Sequence, residues 1–267
     1  KVLQIETDLR RAIERKEFVL DYQPIVSMKD NNNIIGFEAL VRWQHPERGP
    51  IPPNDFIPLA EETGLIVPIG HWVLREACRQ MHEWQEKYPD YQNLTVSVNI
   101  STKEFAQPNF VLLIEKVLQE TGLNPTSLKL EITENMIIGN YDYASTVFQK
   151  LRKLNVKIQI DDFGTGHSAL NYMLHLPIDT LKIDRSFVRK AATNEDVKKV
   201  VKTIIALAHT LKMDVIAEGV ETMTEMELFK NMKSEYAQGF YFSKPMDSKK
   251  VESQIFSVKP KTFSSIE

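Results

Sequence analysis

Apolar positions along the chain switch between two spacings. Short runs alternate or fill with β-branched residues, as strands do, and longer runs recur every three or four positions, as helices do. Phe18 to Val26, Ile34 to Trp43, Leu94 to Ile100, Ser127 to Thr133, the run from Lys157 to Asp161, Thr180 to Asp184, Met213 to Glu218 and Tyr236 to Phe242 read as strands. Val2 to Arg15, Phe56 to Glu62, Ile69 to Tyr88, Pro108 to Thr121, Tyr143 to Leu154, Glu195 to Leu211, Thr222 to Met232 and a segment from Ser248 read as helices. Ser101 is placed to cap a short turn. The polar turn Asp30 to Asn33 joins the first two strands as a hairpin. From the third strand onward strands and helices alternate, which means parallel strands joined by crossover helices.

Eight strands in 267 residues favour closure into an α/β barrel, which typically takes about 250 residues. The alternative is an open doubly wound sheet, but no Gly-x-Gly-x-x-Gly or phosphate-loop lysine motif follows a strand. The predicted division is an N-terminal helix over 1–15, compatible with a linker from an upstream domain, a barrel domain over 16–258 and a tail over 259–267. With 42% hydrophobic and 26% charged residues the chain has the composition of a globular protein. A net charge of −3 argues against holding long nucleic acid. The single cysteine, Cys78, excludes an internal disulfide and a cysteine-rich zinc site, and suits the cytoplasm. No apolar run is long enough to span a bilayer, although a longer parent protein could be membrane-tethered.

In an α/β barrel the carboxyl ends of the strands converge on one open face. Read strand by strand, that position holds Glu38, Asn99, Glu131, Asp161 with Asp162, Lys182 with Asp184, Glu218 and Gln238. One such polar residue is commonly structural. Clustered carboxylates, by contrast, destabilise a fold unless a cation sits among them. The donors are carboxylates and a carboxamide, which select Mg²⁺ or Mn²⁺ over zinc or copper, and their number suggests two ions. Two such ions activate water and stabilise an in-line phosphoryl displacement, with Lys182 available to orient the water. The six histidines show no metal spacing, and His45 and His71 read as structural. A family-blind alternative, a barrel glycosidase using Glu131 and Glu218, leaves Asp161, Asp162 and Lys182 without a role.

Phe37-Glu38-Ala39-Leu40-Val41-Arg42-Trp43, preceded by Tyr22-Gln23-Pro24-Ile25-Val26, resembles the EAL-domain phosphodiesterases of cyclic di-GMP. The resemblance continues through Ser97-Val98-Asn99-Ile100-Ser101, Leu130-Glu131-Ile132-Thr133-Glu134, Asp161 to Gly166, Leu181-Lys182-Ile183-Asp184, Ala217-Glu218-Gly219-Val220-Glu221-Thr222 and Gln238-Gly239. It implies a modified TIM (β/α)8 barrel whose first strand runs antiparallel to the rest. It implies a first metal site of Glu38, Asn99, Glu131 and Asp161, and a second of Asp162 and Glu218 with Asp161 bridging. By the same likeness Glu38, Asp162, Lys182 and Glu218 carry catalysis, and Lys182 contacts the hydrolytic water. Gln23, Leu40, Arg42, Asp184 and Gln238 meet the substrate, while Glu134 and Glu221 support the loop after the Asp161 strand. The implied reaction is metal-dependent hydrolysis of cyclic di-GMP to linear pGpG. A homodimer formed through the region after that strand is implied too, with GGDEF or sensory domains upstream.

The chain departs from the family pattern at His167, where tyrosine is usual, and at Lys233-Ser234-Glu235, where Gly-Cys-Asp is common. A second reading is a catalytically weak domain that only senses cyclic di-GMP. Such chains lack one or more of the acids, and here every one is present.

Overall fold

A computed structural model describes residues 2–30, 32–163 and 174–257. Gly164, Gly166 and His167, the segment expected to form a dimer contact, and the tail over 259–267 lie outside the described residues.

The hairpin forms as its alternation predicts. β1 (Phe18–Ser27) and β2 (Ile34–His45) pair antiparallel, with Gln23 opposite Glu38 and Asp21 opposite Leu40. A short β3 (Gly49–Ile51), absent from the sequence reading, folds back on the end of β2. β2 is then followed by parallel neighbours β4 (Thr95–Asn99), β5 (Leu128–Thr133), β6 (Lys157–Phe163), β7 (Thr180–Ile183), β8 (Asp214–Ala217) and β9 (Tyr236–Ala237). β9 meets β1 antiparallel and closes an eight-stranded barrel with one reversed strand. A further short β10 (Met246–Asp247) pairs with β1 at Asp21 and Tyr22.

The eighth strand is shorter than its sequence suggests. Phe242 and Ser243 donate their amides back to the carbonyl of Gly239, so the chain curls instead of extending to Phe242. A Cβ at Gly239 would meet the Val220 carbonyl oxygen at 2.1 Å, so only glycine permits this approach. The helix expected from Pro108 starts at Phe110. Two short helices were not expected: Glu134–Gly139 after β5 and Arg185–Ala191 after β7.

Alternation sorts the barrel into two environments. Val96, Val98, Leu128, Leu130, Ile132, Ile158, Ile160, Leu181 and Val215 face outward and are buried under the helices. Trp84, on the long helix Ile66–Lys87, packs edge-on against Tyr22 with ring centroids 4.8 Å apart. Cys78 lies buried on the same helix, and Leu9 and Ala12 of the N-terminal helix Val2–Ala12 join the core. Met223 is exposed where it opens the helix Met223–Asn231. The inward face is largely polar where branched aliphatics are usual: Ser97, Lys129, Glu131, Gln159, Thr180 and Lys182 are all buried. Ser97 donates to Gln159 Oε1 at 2.7 Å inside the barrel.

The turn after Asn99 is fixed by a capping box. Ser101 Oγ accepts the Glu104 amide, and Glu104 Oε2 accepts the Ser101 amide at 3.0 Å. Glu104 is buried against Gly70, where a Cβ would lie 1.7 Å from its Oε1. Burial pushes the Glu104 carboxyl up to about 7 from an ordinary 4.5. Its contribution to stability is therefore fully present below about pH 4.5 and is lost as pH rises through 7. Glu104→Gln keeps an accepting oxygen and removes the charge. Its melting temperature is expected to match the parent near pH 4.5 and exceed it at pH 8, by the equivalent of a few kcal/mol, on the order of 1.4 per pKa unit. Parallel melting curves for the two proteins across that range would contradict the assignment.

Candidate active site

Lys182 organises the site. It comes from the middle of β7 on the inward face, and its side chain is 1% exposed. Its Nζ lies 2.5 Å from Glu131 Oε2, 2.6 Å from Glu218 Oε1, 3.4 Å from Asp161 Oδ1 and 3.6 Å from Glu38 Oε2. Those acids lie within β5, just after β8, near the end of β6 and mid-β2, so four strands deliver them to one ammonium. The register explains the convergence: Asn99 stands beside Glu131, and Glu131 beside Gln159.

Glu38 is held from both sides. Asn99 Nδ2 donates to its Oε1 at 2.7 Å and Gln238 Nε2 to its Oε2 at 2.6 Å. Gln238 Nε2 also reaches Gln23 Oε1 at 3.0 Å, and Gln23 donates to the Ser243 carbonyl at 3.1 Å. The curl at Gly239 thus carries Gln238 and Ser243 into the site, a function that an extended eighth strand would not perform.

β6 ends in a bulge. Its register with β7 shifts between Ile160 and Phe163, and Asp162 has φ 54°. A bulge lets two consecutive side chains serve one mouth, and aspartate tolerates the left-handed region better than most residues. Asp161 Oδ1 accepts the Asp162 amide at 3.0 Å. Oxygens of Asp161, Asp162 and Glu218 come within 4.8 Å of one another.

Four carboxylates (Glu38, Glu131, Asp161 and Glu218) thus surround one buried ammonium, and Asp162 stands beside Asp161 and Glu218. Burial pulls the Lys182 ammonium down, and the fields of Asp161, Glu131, Glu218 and Glu38 more than reverse this, so it stays charged. Burial and then the Glu38 charge push Glu131 well above the carboxylate range. Burial raises Glu218 to about 8 against the opposing pull of Lys182. Asp162 is raised by burial and by Asp161. Glu131 Oε1 is buried without a hydrogen bond, which is costly unless something else uses its lone pairs. Excess acid, oxygen-only donors and this orphaned atom fit hard divalent cations of the Mg²⁺ or Mn²⁺ type.

The remaining sequence-predicted residues are less central. Leu40 and Arg42 share the face of Glu38 further along β2, where the hairpin overhangs the barrel mouth. Arg42 Nε is held by Asp21 Oδ2 at 2.9 Å. Asp21 was missed, although it lies two residues before Gln23 and so on the same face of β1. Asp184 caps the helix Arg185–Ala191, accepting the Ser186 amide at 2.9 Å. Glu134 is buried at the start of the helix after β5. Glu221 lies apart from the cluster, in an exposed ion pair with Arg189.

Known proteins resemble this chain in sequence and fold. The family model for the EAL domain matches residues 6–245. The bifunctional diguanylate cyclase/cyclic di-GMP phosphodiesterase MucR of Pseudomonas aeruginosa is 42% identical over 249 residues, 93% of this chain and 36% of that protein. The cyclic di-GMP phosphodiesterase PdeR of Escherichia coli is 41% identical over 244 residues, 91% of this chain and 36% of its own length. The chain therefore spans about a third of the length of these curated relatives. The solved MucR phosphodiesterase in complex with c-di-GMP superposes with a TM-score of 0.88 at 42% identity, covering 93% of this chain and 99% of that one. An EAL domain protein of Listeria monocytogenes superposes with a TM-score of 0.83 at 31% identity, covering 94% and 98%. With the family match running through every strand of the barrel, the chain belongs to the EAL-domain family.

Proposed function

We propose that this domain hydrolyses one phosphodiester of cyclic di-GMP to give linear pGpG, with two divalent ions bound at the barrel mouth. The observation that carries the reading is the set of four carboxylates gathered on Lys182, with Asp162 beside two of them. Glu38, Asn99, Glu131 and Asp161 are assigned to one ion, and Asp162 and Glu218 to the other, with Asp161 shared. Bound there, Mg²⁺ or Mn²⁺ would supply a more acidic water and charge stabilisation on the phosphoryl oxygens.

Lys182 stays cationic in this reading. It orients the attacking water and offsets charge on the phosphoryl group as it becomes more anionic. Glu218 and Glu131 give up protons when the ions enter, since ligating carboxylates must be deprotonated. Gln238 and Gln23 hold Glu38 in place and present amides to the substrate. Arg42, positioned by Asp21, suits a phosphate oxygen, and Leu40 offers an apolar contact beside it. Asp184 is assigned to a polar edge of the substrate. Glu134 and Glu221 are assigned to the support of the loop after β6.

The domain is taken to act in the cytoplasm as one part of a longer protein carrying a GGDEF or sensory module. No described helix is long and apolar enough to cross a membrane. A homodimer belongs to the same reading, and sedimentation of the isolated domain checks it. For turnover, the domain is incubated with cyclic di-GMP and Mn²⁺ and the products are separated by chromatography. Linear pGpG is expected with the metal and none in EDTA. An equal rate in EDTA, or no product with Mn²⁺, would overturn the reading.

A further inference from the structure

The barrel has a second opening. Opposite the acidic mouth, the amino ends of β5, β6, β7, β8 and β9 surround a cavity of about 580 Å³. Its charge is reversed: Lys129, Arg152, Lys157 and Lys212 line it, against two acids, Asp179 and Asp214.

Lys129 is the informative residue. It lies on the inward face of β5, is only 5% exposed, and its ammonium sits over the Tyr236 ring, 5.7 Å from the centroid. It forms no ion pair or hydrogen bond among the described residues. The acids near it, Asp214, Glu131 and Asp179, act on it only through space and none forms an ion pair with it. Asp179 Oδ2 accepts the Ile158 amide at 2.9 Å, Asp214 Oδ2 accepts the Tyr236 hydroxyl at 3.4 Å, and Glu131 Oε2 is bound to Lys182. Lys157 stands directly opposite Lys129 in the β5–β6 register, which adds a like charge beside it. A buried cation in this position is expensive without a counter-charge. An aliphatic residue would fill the barrel axis at lower cost, so packing alone does not account for it.

We propose that this lower cavity binds a phosphate group, with Lys129 at its floor and Arg152, Lys157 and Lys212 around its rim. Four donors of positive charge around a polar cavity suit a dianion with several acceptor oxygens. The volume lies within the roughly 300–1,000 Å³ range of small-molecule sites and exceeds what a free ion fills. The group can therefore arrive as inorganic phosphate or on a small monoester. The site is separate from the acidic mouth and stands whether or not that mouth hydrolyses cyclic di-GMP.

The test is calorimetric titration of the full domain with inorganic phosphate, in chloride buffer with EDTA to keep metal-bound phosphate out of the acidic mouth. One saturable site per chain is expected. Arg152 and Lys157 are exposed, so the double variant Arg152→Ala/Lys157→Ala leaves the core intact. It is expected to weaken binding at least about tenfold, or about 1.4 kcal/mol. Lys129→Met is expected to lose binding while melting no lower than the parent, because a buried charge is replaced by an apolar chain of similar length. Tighter binding of ribose 5-phosphate than of inorganic phosphate identifies a monoester, and the reverse order identifies the free ion. Absence of saturable binding up to about 10 mM, the weak limit of a specific small-ligand site, overturns the proposal. So does binding that both variants leave unchanged.

Discussion

Lys182→Met is expected to lower turnover of cyclic di-GMP by about 10²–10³-fold, the usual range for losing one group that stabilises charge developing in the transition state. It is also expected to destabilise the metal-free protein. Its ammonium is within 3.6 Å of all four acids it holds, and removing it leaves them buried against one another. Breaking one side of a buried ion network costs about 3–5 kcal/mol. For a chain of this size that lowers the melting temperature by about 10 °C. Added Mn²⁺ should restore most of the melting temperature, since divalent ions replace the missing positive charge, yet leave turnover low. Recovery of both would reduce Lys182 to a counter-ion. Recovery of neither would mean that the acids do not gather metal. The two readouts separate a structural role from a chemical one.

Glu38→Ala is expected to abolish measurable hydrolysis while the fold survives. Glu38 accepts hydrogen bonds from Asn99 and Gln238 and sits 3.6 Å from Lys182, so it joins two sides of the barrel mouth. Loss of a ligand that positions a catalytic ion removes several kcal/mol of transition-state stabilisation, about tenfold in rate for each 1.4 kcal/mol. Without metal, however, the variant relieves repulsion on Glu131, whose raised pKa owes more to Glu38 than to any other neighbouring charge. The metal-free variant is therefore expected to melt no lower than the parent. Retained turnover would count against the metal assignment. A large fall in melting temperature would instead make Glu38 a structural residue.

The sequence revealed the barrel and most of its mouth because both follow from simple rules. Alternation marked the strands, and the carboxyl end of each strand named Glu38, Asn99, Glu131, Asp161, Lys182 and Glu218 before any contact was known. The same reading named Asp162, Asp184 and Gln238, but contacts that depend on departures from regular structure were harder to read. Gln238 reaches Glu38 because the chain curls at Gly239, and the aromatic run to Phe242 looks like strand in any local window. Asp184 and Arg42 are engaged by the Ser186 amide and by Asp21, partners that spacing alone does not announce. Asp21 was within reach of a strict period-two reading from Gln23. Lys129 and Gln159 were hidden for another reason: a polar residue on a strand normally signals a solvent face, and here that face turns into the barrel axis.

Metal uptake is expected to depend on pH. Glu218 sits near 8 and Glu131 well above its ordinary range in the metal-free site, so ions compete with protons there and affinity should rise with pH through neutrality. The most direct measurement of the central claim is therefore titration of the metal-free domain with Mn²⁺ at pH 7, followed by electron paramagnetic resonance, with proton release measured in parallel. Saturation at two ions per chain, protons released on binding, and a lower stoichiometry in Glu38→Ala are expected. No saturable uptake, together with pGpG formation that continues in EDTA, would contradict that claim.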